Sequence, residues 1–348
     1  MGGLPQDEPD FTPEWLSEVL GTDVTGVEVL GRTLATNLHL RLGLRHESPD
    51  APTTIFVKLP PVDPAHRVAI GATGMGEREA RFYAELAPSV PLRVPRTWFA
   101  ATEADGSFVL LLEDLSVTGC RISDGTWGVP GDLAAGALED LARFHVRFED
   151  DQRRAAVERW TGSAPGEGSE FALRTLRHVL DQFADVLTPD YVEVGELYLA
   201  HHRELEALWG AGPRTVAHGD AHIGNVFVDG DRVGFLDWGL CKVSGPMRDV
   251  SYFLTMAVDP EDRRRMQEDL LRHYLDVRRS LGGAEIGFDE AWRSHRVHAG
   301  YTVIASFLGL VPPYDTEETR PFSTMFRERS YLALEDLGAV DALREALA

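Results

Sequence analysis

The hydrophobic repeat of this chain changes period once, near residue 115, and that change restricts the fold more than any other feature. Before it, apolar side chains recur at alternate positions. Leu38, Leu40, Leu42 and Leu44 alternate with other residues, Val27–Leu30 is a shorter run, and Thr53–Leu59 is an apolar strand stopped by Pro60 and Pro61. Pro95–Ala100 and Ser107–Leu112 flank Ala104-Asp105-Gly106, a turn sequence that predicts a hairpin. One helix interrupts these strands over Gly76–Leu86, where helix formers carry Ala80, Phe82, Tyr83 and Leu86. Beyond residue 115 the period is helical. Leu138, Leu141, Phe144, His145 and Phe148 fall on one stripe of a helix over Leu133–Phe148, and further helices are predicted over 171–183, 191–209, 250–256, 261–281, 289–310 and 323–337. Thr161–Ser169 (TGSAPGEGS) reads as a loop. Only Asn225–Leu236 returns to strand patterning, as a hairpin turning at Asp229-Gly230-Asp231. The expected class is therefore α+β: a small antiparallel β lobe with one helix over residues 1–115, then a larger, mainly helical lobe over 116–348.

Charge narrows the partners. The chain has 34 basic and 56 acidic residues, a formal net charge of −22, and nucleic acid or an anionic membrane would demand a basic face. The acidity is diffuse: 9 basic against 15 acidic residues up to 112, 25 against 41 after it. It reads as a solubility feature and does not by itself call for a cationic substrate. The two cysteines, Cys120 and Cys241, suit a reducing compartment. The opening MGGLPQDEPD lacks a basic leader with an apolar run, and neither Phe108–Leu112 nor Val297–Val311 is long and apolar enough to span a bilayer. A cytoplasmic protein is expected, with no membrane and no nucleic acid partner; no feature bears on its oligomeric state.

Chemistry concentrates in Val216–Leu254 (VAHGDAHIGNVFVDGDRVGFLDWGLCKVSGPMRDVSYFL). Asp220 and Asn225 sit five residues apart on the turn entering the late hairpin, and Asp237 follows its second strand. The two strand ends can thus present oxygens at one edge. Magnesium takes carboxylate and amide oxygens, commonly only one or two from the protein, which suits Asn225 and Asp237 as ligands. Asp220 then lies near the metal without binding it, available to accept a hydrogen bond from an attacking hydroxyl. Asp229 and Asp231 read as turn formers.

At these residues the chain resembles the aminoglycoside phosphotransferase and choline-kinase-like small-molecule kinases, including the ecdysteroid-kinase-like branch, which share the protein-kinase-like bilobal fold. His218-Gly219-Asp220-Ala221-His222-Ile223-Gly224-Asn225 is similar to their catalytic loop, and Asp237-Trp238-Gly239 to the metal-binding triplet that is Asp-Phe-Gly in protein kinases. The resemblance implies an enzyme that uses ATP and Mg2+, with Asp220 as catalytic base or hydroxyl-orienting acid, Asn225 and Asp237 as metal ligands, and His218 supporting the loop. It also matches Asp249 to an acid that follows the triplet, read here as structural, bonding loop amides or capping its helix.

Phosphate holding falls to the first lobe. Lys58, one of only two lysines in the chain, ends the apolar strand Thr54–Val57, where its ammonium can reach nucleotide phosphates. The family pattern makes Glu79 rather than Glu77 its ion-pair partner. The loop Gly31–Asn37 carries one glycine where protein kinases carry three, leaving Thr36, Asn37 and turn amides as candidate phosphate donors. Leu110–Leu115 resembles the family's hinge, where backbone groups of Glu113 and Leu115 would meet the adenine edge. The implied reaction moves the γ-phosphate of ATP, with ATP against GTP left open, to a hydroxyl of a small organic molecule such as an aminoglycoside-, choline- or other alcohol-like acceptor. Two alternatives are a bulky apolar acceptor such as a steroid or polyketide, and a catalytically silent nucleotide-binding module. Helices over 151–212 and 289–337 are expected to line the acceptor pocket. His218-x-Asp220-x-His222 also has the look of a hydrolase metal centre, but that reading leaves Lys58, Asn225 and Asp237 unexplained. His295 and His298, three apart on one helix, read as packing residues.

Overall fold

A computed structural model describes residues 3–34, 36–161, 170–312 and 314–348. The chain divides into two compact units, one of Met1–Ile122 with Gly234–Cys241, the other of Ser123–Val233 with Lys242–Ala348.

The first unit is built on a five-stranded antiparallel sheet, β1 (Gly26–Leu34), β2 (Leu38–Arg45), β3 (Thr54–Leu59), β4 (Thr97–Thr102) and β5 (Phe108–Glu113), in the order β1-β2-β3-β5-β4. The alternation in β2 puts Leu38, Leu40, Leu42 and Leu44 on one buried face, joined there by Ile55, Val57 and Leu59 of β3 and by Val109 and Leu111 of β5. Helix α1 (Pro13–Leu20), outside the sequence expectation, covers that face through Leu16, and the Trp15 ring meets Phe99 edge-on at 5.7 Å. Its start is nonetheless written in the chain: Thr12 caps the Trp15 amide, Pro13 opens the helix, and Gly21 ends it at φ 65°.

The single helix expected between the strands is two. α2 (Pro64–Gly71) is capped by Asp63, and α3 (Met75–Arg81) runs on into a wider π-type turn over Phe82–Leu86. Gly76 is required where α3 meets β5, because a Cβ there would lie 2.1 Å from the Phe108 ring. A two-residue strand, β6 (Arg121–Ile122), closes the first segment of this unit.

In the second unit the helices are α4 (Gly131–Arg147), α5 (Asp151–Thr161), α6 (Glu170–Phe183), α7 (Pro189–Trp209), α8 (Met247–Met256), α9 (Pro260–Ser280), α10 (Phe288–His298), α11 (Tyr301–Ser306), α12 (Arg320–Leu337) and α13 (Ala339–Leu347). The expected loop after Thr161 lies outside the described residues. The long helix expected over 289–310 breaks into α10, α11 and a 3-10 turn; at the break Gly300 leaves room for Leu343 of α13, whose Cδ1 would be 2.7 Å from a Cβ. A core of Tyr191, Tyr198, Trp209, Tyr301, Leu334 and Leu343, among others, joins these helices. Short strands β7 (Thr215–Ala217) and β10 (Lys242–Ser244) pair antiparallel, and β8 (Val226–Asp229) and β9 (Arg232–Phe235) form the hairpin expected across Gly230. No helix among the described residues is long and apolar enough to cross a membrane.

Candidate active site

The first unit gathers three of the residues singled out from sequence. Lys58 leaves the end of β3, almost fully buried, and its Nζ lies 2.6 Å from Glu79 Oε2 on α3 and 3.2 Å from Asp237 Oδ2. Burial alone would drive this ammonium toward neutrality, but the two carboxylates outweigh it and hold its pKa above the ordinary lysine value. Glu77, by contrast, pairs with Arg81.

The Asp-Trp-Gly triplet is shaped for this contact. Asp237 is the one non-glycine residue with positive φ (60°) among the described residues, a conformation aspartate tolerates better than most. The Trp238 indole is buried and stacks on Phe82 at 3.7 Å, with 5° between the planes. Gly239 lets α3 approach: its carbonyl accepts from Arg78 Nε at 2.8 Å, and a Cβ would sit 3.2 Å from that of Met75.

Lys58, Glu79 and Asp237 stand on the wall of a cavity of about 270 Å3 whose other lining includes His39, Arg41, Phe56, Asp114, Leu115 and Leu236. The sheet register explains the neighbours. His39 faces Lys58 across β2 and β3, so the two side chains emerge on the same face, with Arg41 and Phe56 two residues along their strands. His39 was not foreseen, although the pairing of two alternating strands would have found it. Its pKa is lowered to about 4 by burial and by the Lys58 charge, so the ring is neutral. Asp114 is pinned by Arg41 (3.0 Å) and by the Ser116 hydroxyl, which donates at 2.6 Å.

Of the remaining first-unit residues, Leu115 lines the cavity, while Thr36, Asn37 and Glu113 are not part of its wall. Thr36 is half-buried and Asn37 almost fully buried. The Glu113 carboxylate is engaged by Arg93 at 2.9 Å and by the Arg96 amide, and the Glu113 amide donates to the Arg96 carbonyl.

The second unit holds Asp220 and Asn225 on one loop. Asn225 Nδ2 donates to both the carbonyl and Oδ2 of Asp220, at 3.0 and 2.9 Å, which leaves the amide carbonyl as its acceptor end. His222 Nε2 lies 3.4 Å from the same Oδ2, while its Nδ1 accepts the Gly224 amide at 3.0 Å. The His222 ring packs on Phe326 at 4.8 Å between centroids, and Phe322 covers Gly224, its Cζ 2.9 Å from where a Cβ would stand. Asp249 is buried at the start of α8, and its carboxylate accepts the amides of His218 (2.7 Å) and Gly219 (2.8 Å). Of the two structural roles expected for it, bonding the loop amides is the one seen. Arg248 holds the next peptide, which leads into Asp220, by donating to the Gly219 carbonyl at 3.2 and 3.1 Å.

No group of three or more His, Cys, Asp or Glu side chains poised for a metal occurs among the described residues. His298, buried, lies with Nε2 2.8 Å from the Trp209 carbonyl.

A family model described as "Phosphotransferase enzyme family" matches residues 50–284. No curated protein matches the chain. Among solved structures, the GDP complex of wild-type aminoglycoside 2'-phosphotransferase-IIIa is 14% identical, covers 94% of this chain and 99% of its own, and gives a TM-score of 0.54. The streptomycin–ATP ternary complex of APH(2")-IIa is 15% identical over 93% of this chain and 99% of its own, TM-score 0.51. Choline kinase LicA from Streptococcus pneumoniae is 15% identical over 95% and 98%, TM-score 0.50. At these identities the likeness is one of fold, that of the protein-kinase-like phosphotransferases.

Proposed function

The chain belongs to the phosphotransferase enzyme family, and from that premise we propose that it moves the γ-phosphate of ATP, with magnesium, onto a hydroxyl group of a small organic molecule. The observation that carries this reading is the Lys58 ammonium, buried between Glu79 and Asp237 on a cavity wall. A fixed cation of that kind offsets the charge of phosphate oxygens. Phe56, Leu115 and Leu236 give the cavity apolar surface against which a nucleotide base would lie. Thr36 and Asn37, and backbone groups of Glu113 and Leu115, complete the proposed nucleotide contacts. Residues before 116, with Leu236 and Asp237, supply the phosphate and base contacts, and the other residues from 116 onward the acceptor and its base.

The donor set fits magnesium by type. Asp237 offers a carboxylate and Asn225 an amide carbonyl whose NH2 end is already engaged, both of them hard oxygen ligands. Magnesium, when bound, would neutralise phosphate charge. Asp220 holds one carboxylate oxygen against Asn225 and His222, so Oδ1 is the oxygen available to accept the proton of an acceptor hydroxyl and to orient its oxygen for attack.

The rings of His222, Phe322 and Phe326 beside Asp220 favour the second acceptor reading, an alcohol with an apolar face such as a steroid or polyketide. Both readings meet in one test: a panel of aminoglycosides, choline, and steroid and polyketide alcohols, scored for magnesium-dependent ATP turnover. Stimulation by at least one hydroxylated compound is expected, and loss of stimulation when its hydroxyl is removed. A panel without any stimulation counts against the function.

A further inference from the structure

The 218–220 backbone that carries Asp220 is held by a chain of buried side chains that reaches back to α4 and α9. Tyr274 on α9 and His145 on α4 are both buried, with Tyr274 Oη 2.7 Å from His145 Nδ1. The other ring nitrogen, His145 Nε2, lies 3.0 Å from Asp249 Oδ2. That same oxygen accepts the His218 amide, and Oδ1 accepts the Gly219 amide. The Asp220 amide in turn donates to His218 Nδ1 at 3.2 Å. His145 is fixed through its backbone as well, since Thr215 Oγ1 donates to its carbonyl at 2.6 Å, three residues before His218.

Donor and acceptor roles follow from this geometry. A carboxylate can only accept, so the ring nitrogen facing Asp249 must carry a proton; Nδ1 of the neutral ring then accepts from the Tyr274 hydroxyl. Burial keeps the imidazole neutral by lowering its pKa, and the donors around Asp249 outweigh its burial and keep its carboxyl ionised. Each donor thus faces an acceptor along the chain, which fixes the direction in which the His218 and Gly219 amides point. Gly219 adopts φ 84°, so the peptide is turned at the residue immediately before Asp220.

We propose that His145, held in one tautomer by Tyr274, is a positioning residue for Asp220, acting through Asp249 and the loop amides. It touches neither substrate nor metal in this scheme. The proposal rests on the phosphotransferase reading for its kinetic consequence, while its structural content can be read without turnover.

Replacing His145 with Leu removes the donor, and replacing it with Gln offers an Nε2–H in its place. The expected result for His145→Leu is a kcat reduced about 10–100-fold, the usual range for a supporting shell, with KM for ATP and for the acceptor within about twofold of wild type. His145→Gln should recover most of the loss. Amide hydrogen exchange at His218–Asp220 should speed up in His145→Leu and in Tyr274→Phe, which keeps the ring bulk and so guards against a variant that fails to fold. In the wild-type protein, nitrogen NMR should find the His145 proton on Nε2. A proton on Nδ1, unchanged exchange in folded variants, or a rise in KM at constant kcat would overturn the proposal. Absence of turnover by the wild-type protein with every acceptor would instead count against the proposed function, leaving the tautomer and exchange measurements to decide this one.

Discussion

Removing the Lys58 ammonium while keeping its bulk, as in Lys58→Met, leaves Glu79 almost fully buried without its cation. Breaking a buried pair by deleting one partner costs about 3–5 kcal/mol. Glu79 can reduce that cost by taking up a proton. Burial already raises the Glu79 carboxyl to about 7 beside Lys58, and loss of the ammonium raises it further. The penalty is then reduced by protonation and varies with pH. Up to about pH 7 both wild type and variant hold a proton on Glu79 that the unfolded chain releases, so both lose stability as pH rises; above it the wild-type carboxyl ionises against Lys58 and only the variant goes on losing stability. The difference from wild type should therefore grow above about pH 7, by up to about 1.36 kcal/mol per pH unit. Nearby Asp237 adds to the effect by opposing a second negative charge. The assay is urea unfolding of wild type, Lys58→Met and Lys58→Met/Glu79→Gln at pH 6, 7, 8 and 9 and constant ionic strength. The double variant should recover most of the lost stability and lose the pH slope, yet it should not recover nucleotide binding. A difference below about 1 kcal/mol that is flat with pH would show that the pair is not a buried, mutually dependent unit.

Other outcomes follow from the same geometry. Acid should weaken the fold through His39 and His295, whose folded pKa values are lowered to about 4 and about 3 mainly by burial. Their neutral forms favour folding fully above pH 6.5, and that contribution is lost as pH falls toward the folded pKa values; each accounts for about 3 kcal/mol by pH 4. Unfolding free energies that stay flat from pH 6.5 to 4 would contradict this. Gly245→Ala should leave little folded protein, because its Cβ would lie 1.8 Å from the Ala211 carbonyl oxygen; a thermal midpoint equal to wild type would be the contrary result. Phe322→Ala, beside His222 and Gly224, should raise the KM of an apolar alcohol severalfold with a smaller change in kcat. Equal KM values in steady-state kinetics would remove Phe322 from acceptor binding.

The alternation of leucines in β2 and the apolar run ending at Lys58 made the sheet readable, because one buried face imposes a strict period of two. The Lys58–Glu79 pair was legible only with the family pattern, since glutamates at 77 and 79 are indistinguishable by spacing alone. Where the chain was misread, local signals were weak or were overridden. Helices α1 and α2 are each eight residues long, too short to show a persistent stripe, and only their caps at Thr12 and Asp63 mark them. The break between α10 and α11 depends on Leu343 arriving from the far end of the chain, which no local window contains. His145 sat within an apolar stripe and read as core; its partners Asp249 and Tyr274 lie 104 and 129 residues away. A polar side chain on a buried stripe was the available clue, because such a group must find its hydrogen-bond partners inside the protein.

The most direct measurement follows isotope-labelled γ-phosphate from ATP onto an acceptor from the panel, with wild-type protein and with Asp220→Ala, each with magnesium and with chelator. Label should appear as a phosphate ester on the acceptor hydroxyl only with wild type and magnesium, while Asp220→Ala binds the nucleotide within a few-fold of wild type and transfers nothing. Equal transfer by Asp220→Ala, or transfer undiminished by chelator, would contradict the roles given to Asp220, Asn225 and Asp237.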